Sequence, residues 1–388
     1  MGTHGDNTGT NWPTGLDTAS AEIDSPSASK TKARAAVPND ISAAVVAVQT
    51  NLRSGIWVYD NAYTSLQASI TAAAGKTLIL TKPWTLDANT TIGATVSVFP
   101  FQSGVINSGG YTLTINGSIV GNPMHQWLSG FAAGDVTFGS LISQANTLWV
   151  GTGETSINII NSALVVGGII KKNVGIENIA SSILLNVNQS VGLEGSGISQ
   201  MASTNGTTIK KSANFSPSIT ISAELCSVKN LKLDCDNKTG HGILLQNIEA
   251  TLEDLFIQKV GGTGTAIKLD QSSYSHLKRI KMKDCYKGID IGGATGSQAV
   301  TIEYLSCTID NPSTQSDAFT IENTSSGLFK SLHLDTATGG RAIQINGNNS
   351  DLQFIGIYTE EGGVRTVPTI EIGGTGNKNI SFDGVYLR

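Results

Sequence analysis

The sequence predicts an all-β chain wound as a right-handed single-stranded parallel β-helix, with short helical segments near its N-terminus. Three observations predict it: a repeat of about 25 residues from Val228 onward, a composition suited to many short strands, and turn residues at regular intervals.

The repeat carries most of the prediction. Each unit holds an x-Leu-x-Leu-type strand, a Gly- or Asp-rich turn and a second short strand. The first strands centre on Leu231/Leu233, Leu255/Ile257, Ile280/Met282, Leu305/Cys307, Leu332/Leu334, Ile355/Ile357 and Val385/Leu387. These markers lie 24, 25, 25, 27, 23 and 30 residues apart. The second strands centre on Ile243/Leu245, Ile267/Leu269, Ile289/Ile291, Phe319/Ile321, Ile343/Ile345 and Ile370/Ile372. Alternate strand residues point to opposite faces, so stacking like on like buries an apolar column. One rung cannot bury its own face, so stability comes from its neighbours. Leucine-rich repeats have a similar period but need a helical return. Return segments here, such as Asp236-Asn237-Lys238-Thr239-Gly240, are short and helix-poor.

Composition agrees. Of 388 residues 44 are Gly and only 14% are charged, which favours short strands and tight turns over long helices. The net charge of −5 gives no general attraction to nucleic acid. No apolar run is long enough to span a membrane. The opening MGTHGDNTGTNWPTGLD lacks the basic and apolar regions of a secretory signal peptide. The chain is then expected either inside the cell or outside it by another route, such as lysis. Cys226, Cys235, Cys285 and Cys307 form no C-x-x-C pair, so no cysteine zinc site is expected. Cys285 and Cys307, on neighbouring rungs, read as small buried residues rather than a disulfide.

Along the chain, residues 1–37 read as a flexible, extended or disordered arm. Residues 38–60 read as a short helix and linker: Pro38-Asn39-Asp40 starts the helix, and Ile41, Ala44 or Val45, Val48 and Leu52 follow at helical spacing. Residues 61–227 read as an N-terminal capping region with early rungs. There Thr64 and Gln67 form a capping-box pattern, Leu66, Ile70 and Ala73 an apolar face, Gly75 a stop, and Thr77–Leu80 a strand. Thr155 to Val165 reads as a second helix, so two capping elements are expected before the regular rungs of 228–388.

At this point a resemblance enters. Tyr63 to Leu80 (YTSLQASITAAAGKTLIL) resembles the short helix and "G-K-T-L" strand that open many pectin-lyase-like β-helices, and Asn186 to Gly197 (NVNQSVGLEGSG) resembles their early L-x-G-x-G rung. Asn11-Trp12-Pro13-Thr14-Gly15-Leu16 resembles the start of many prophage tail-fibre and tailspike proteins. The resemblance implies a homotrimer attached to a phage tail or baseplate by its N-terminus, virion-associated or released, that binds or cuts a bacterial surface polysaccharide. Tailspikes typically carry a further trimerising C-terminal domain, whereas the last rung here reads as unfinished at Arg388.

Chemistry on such a fold would sit on outward strand positions or in adjoining turns. Cleaving a glycosidic bond needs two flanking carboxylates, or a base with charge neutralisation for elimination. The outward pairs read Lys232/Asp234, Phe256/Gln258, Lys281/Lys283, Ser306/Thr308, His333/Asp335 and Gly356/Tyr358, and the following turns add Asp236, Asp284, Asp310, Glu360 and Glu361. From these, Asp284, Asp310 and Asp335 are the candidate catalytic acids. Phe256, Lys281, Lys283, His333 and Tyr358 are the candidate substrate-binding residues: aromatics stack on sugar rings and Lys attracts anionic sugars. Solvated surface charge and turn-capping Asp are the competing readings of the same residues. Gly240-His241-Gly242 followed by Arg279-Ile280-Lys281 resembles two motifs of polygalacturonase-type hydrolases, but that family's N-T-D and D-D acid motifs have no counterpart here. No calcium loop, Walker loop, HExxH or nucleophile elbow is present, so neither metal nor cofactor is expected. Three functions stay open: a tailspike-like polysaccharide binder or depolymerase, a free polysaccharide lyase or hydrolase, and a non-catalytic fibre.

Overall fold

The computed structural model describes residues 56–388 except 122, 187–189, 199–205, 247–248, 293–295, 310–316, 337–338 and 362–365. The expected arm and the helix at 38–52 lie outside the described residues. The described chain is a right-handed parallel β-solenoid of about 11 turns with two short α-helices. No described helix is long and apolar enough to cross a membrane.

The solenoid starts earlier than the sequence suggests. Trp57–Tyr59, read as linker, is a strand in parallel register with Thr77–Ile79. Helix α1 (Leu66–Ala72) covers this end, and Leu66, Ile70 and Ala73 face the core as expected. Its cap is Ser65 rather than Thr64: the Ser65 hydroxyl accepts the Ala68 N–H at 3.1 Å. Asp60, fully buried, fixes the first turn by accepting hydrogen bonds from Thr81 N at 2.9 Å and Trp84 Nε1 at 2.7 Å.

The second helix, α2 (Gly153–Ala163), is not a cap. It packs between strand Val136–Phe138 and strand Ile183–Leu185, where a strand would otherwise sit. Its first amide, Gly153 N–H, is accepted by Glu177, whose other oxygen pairs with Lys172 at 2.6 Å. Two three-stranded sheets end beside this insertion, and the two long sheets run on from this region, one to Leu387 and the other to Ile372.

The long sheets have 13 and 8 strands. In the first, Val228, Leu252, Leu277, Ile302, Phe329, Phe354 and Phe382 stack in one inner column. Its last two rings lie 4.6 Å apart and nearly parallel. A second inner column runs Leu231, Leu255, Ile280, Leu305, Leu332, Ile357 and Val385. Between the columns, each rung bends at one left-handed residue: Asn230, Asp254, Arg279, Tyr304, Ser331, Gly356 and Gly384, with φ of 52–67°. Gly at the last two carries no Cβ to strain that bend.

The bend corrects one rung of the predicted register. Ile355-Gly356-Ile357 reads as alternation, with Gly356 outward. In the structure Gly356 is the bend, Ile355 lies outside opposite Lys330, and the inner residues are Ile357 and Thr359. Inner markers 332, 357 and 385 are then 25 and 28 apart rather than 23 and 30. The second-strand markers fall in register as expected. All four cysteines are buried and free.

Candidate functional site

The second half of each bent strand is rigid, because both neighbouring rungs hydrogen-bond to its backbone. Its outward residues form two adjacent columns on the outer surface. One runs Ile176, Thr208, Lys232, Phe256, Lys281, Ser306, His333, Tyr358 and Tyr386. The other runs Asn178, Lys210, Asp234, Gln258 and Lys283, and resumes at Asp335 and Glu360. Most of the candidate residues therefore share one ribbon, but in two different settings.

The middle of the ribbon is basic. Phe256 is buried, at 3% exposure, and does not offer an open stacking face. Lys232 Nζ and Lys281 Nζ lie 5.3 and 5.8 Å from its ring centre, within cation–π range. Lys232 is itself buried, and desolvation lowers its pKa. Lys283 is exposed on the same rung as Lys281. Asp284 follows in a left-handed turn, half-buried. Asp310 lies outside the described residues.

The C-terminal end of the ribbon is aromatic and acidic. The His333 and Tyr358 rings meet edge-on at 4.7 Å, and Tyr358 stacks on Tyr386 at 5.4 Å with planes 7° apart. Tyr386 is 59% exposed. Beside them, His333 Nε2 lies 2.9 Å from Asp335 Oδ1, and Asp335 and Glu360 are register partners on adjacent rungs. One donor atom from each of His333, Asp335 and Glu360 falls within 4.8 Å of the other two. Arg388 Nη1 approaches Glu360 Oε1 at 3.9 Å, and a hydrogen bond to Tyr358 raises its pKa. Tyr386, Glu360 and Arg388 join this cluster without having been singled out together; the corrected register is the signal that groups them.

The His241 and Arg279 resemblance does not form a site. His241 Nδ1 accepts the Thr265 N–H at 3.1 Å, and burial lowers its pKa. Arg279, at the bend, is held by Asp254 at 2.6 Å and Glu253 at 2.6 Å.

No protein-family profile and no curated protein matches the chain. Solved structures match at low identity. The Geobacillus virus E2 ORF18 protein is 14% identical over 63% of this chain and 60% of that one, with a TM-score of 0.37. The Streptococcus pneumoniae surface adhesin PfbA is 9% identical over 85% and 93%, also at 0.37. The catalytic unit of the GH87 alpha-1,3-glucanase of Streptomyces thermodiastaticus is 11% identical over 81% and 65%, at 0.41. The chain thus spans under two thirds of the virus protein and of the glucanase. At these values none of them assigns a function. The fold itself is shown by the sheet topology, which is that of a right-handed parallel β-helix.

Proposed function

We propose that the chain binds a bacterial surface polysaccharide along the outer ribbon, as a phage tailspike-like protein. The observation that carries this is the ladder His333–Tyr358–Tyr386 flanked by Asp335 and Glu360. Rings stacked along the solenoid axis turn their edges and hydroxyls outward, and carboxylates accept hydrogen bonds from paired sugar hydroxyls. Rungs advance about 4.8 Å, so two rungs match roughly one disaccharide of an extended glycan. Lys281 and Lys283 extend the ribbon for an anionic chain. In this reading residues 1–37 attach to a virion and three copies assemble, which light scattering would report as a trimer.

The test is a panel of bacterial capsules and lipopolysaccharides with wild type and a Tyr358→Ala, Tyr386→Ala double variant. The expected result is binding to one glycan, weakened about tenfold or more in the variant. Unchanged binding by the variant would remove the ribbon as the site. A depolymerase reading has its own support in the Asp335–Glu360 pair, whose oxygens lie within 4.8 Å, close to the roughly 5 Å of retaining glycosidases. Release of reducing ends that Asp335→Asn or Glu360→Gln abolishes would establish it; release of unsaturated uronates would point to a lyase.

A further inference from the structure

The C-terminal cluster has a property that glycan recognition does not require. His333 and Asp335 project from one strand, two residues apart, and Glu360 projects from the next rung beside Asp335. Strands held between neighbouring rungs fix both backbones, so the three donors are pre-organised. The 2.9 Å contact of His333 Nε2 with Asp335 Oδ1 lacks the alignment of a hydrogen bond, and Nε2 is shut off from solvent with no hydrogen-bond partner among the described residues. A shielded imidazole nitrogen beside two carboxylates is a donor set for a cation.

We propose that His333, Asp335 and Glu360 bind a divalent cation of the zinc class, with one coordination position open toward the ribbon. Zinc bonds to nitrogen and carboxylate oxygen of about 2.0–2.2 Å require donors roughly 3.3–3.6 Å apart in a tetrahedron. The observed separations, from 2.9 Å to within 4.8 Å, bracket that value. Glu360, 49% exposed, has room to close the remaining gap. The ion would displace Arg388 from Glu360, an exposed 3.9 Å contact of little weight. Calcium is disfavoured, because it takes six to eight oxygen ligands and the cluster offers two carboxylates and a nitrogen. Three protein ligands leave the fourth position to water or to an anionic ligand. The metal site stands without the glycan reading. Only the further role of that open position, holding a carboxylate of a bound sugar, rests on it.

The experiment is isothermal titration of the full chain, stripped with chelator, with zinc chloride and separately with calcium chloride, in the absence of any glycan. Wild type is compared with His333→Ala, Asp335→Asn and Glu360→Gln, with circular dichroism of each to establish the fold. The expected result is one saturable zinc site per chain, at least tenfold weaker in each variant, and no comparable calcium site. Cobalt at the site is expected to give visible absorption that His333→Ala removes. No saturable zinc binding by wild type, or equal zinc affinity in folded wild type and variants, would overturn the proposal. Either result leaves the glycan panel untouched, so the two readings fail separately.

Discussion

Cys285 and Cys307 show how completely the interior is closed. Burial pushes the Cys285 thiol up to about 12, raises Cys235 to about 11, and moves Cys307 well above its usual value. The thiolate is the reactive form, so both its scarcity and the lack of access protect these residues. Native protein at pH 8 should therefore take up no iodoacetamide on Cys235, Cys285 or Cys307, whereas denatured protein should be labelled at all four cysteines. Mass spectrometry reads this directly, and rapid native labelling of Cys285 would contradict a closed core. Cys307 was legible in the sequence because it stands where the neighbouring rungs carry Met282 and Leu334. Phe256 was not equally legible. Its outward position is correct, but whether an outward ring is open or covered depends on Lys232 and Lys281 from neighbouring rungs, and single-strand alternation carries no such information.

At the scale of the strand, the outward position just before each bend holds a second device. Lys171, Glu194, Lys229, Glu253, Lys278, Glu303 and Lys330 are successive register partners, so their charges alternate in sign from rung to rung. Ion pairs join Lys171 to Glu194 at 2.7 Å, Lys229 to Glu253 at 3.1 Å and Lys330 to Glu303 at 3.7 Å. Each pair is partly exposed and contributes little alone. Together they penalise a one-rung slip, which would place like charge on like. Hydrogen bonds from Lys229 and Arg279 hold the Glu253 carboxyl below its usual range. Its folded pKa is depressed, so its contribution is present above the unfolded value and lost as pH falls through the folded one. Glu253→Lys should put three cations in a row and destabilise the fold by about 1 kcal/mol. The loss should shrink at 1 M salt, where the Debye length is about 3 Å. Urea denaturation at low and high salt checks this, and a salt-independent loss would point to packing instead. This ladder is present in the sequence but hidden by uneven turn lengths. It emerges only once the left-handed bend residues set the phase, the same residues that shifted the register at Gly356.

For the whole molecule, the consequence of the solenoid is that each rung is stabilised mainly by two neighbours, so stability is close to a sum of local terms. The period of the repeat was enough to predict this architecture. The position of α2 was not, because a helix in sequence looks alike whether it closes an end or replaces a strand. That position marks a change in the stack: the sheets that end before it have three short strands each, and the two that continue past it have 13 and 8. The far edge is thinly covered. Ile372 and Leu387 are about half exposed, while Phe329, Leu332 and Leu334 at the centre of Thr324–Thr336 are almost fully buried. Among the described residues the Lys378–Leu387 strand pairs with Ser350–Thr359 alone. Backbone hydrogen bonds there should open without breaking a second interface. Hydrogen exchange of this chain should therefore show Lys378–Leu387 exchanging first, Ser350–Glu361 next, and Thr324–Thr336 last. Tyr386 and Tyr358 then lie on the first two strands to open, so an ion that joins Glu360 to His333 and Asp335 should slow exchange in Ser350–Glu361 selectively. Mass-spectrometric exchange with and without zinc measures both. Uniform protection along the three strands would mean that the stack opens as one cooperative unit rather than rung by rung.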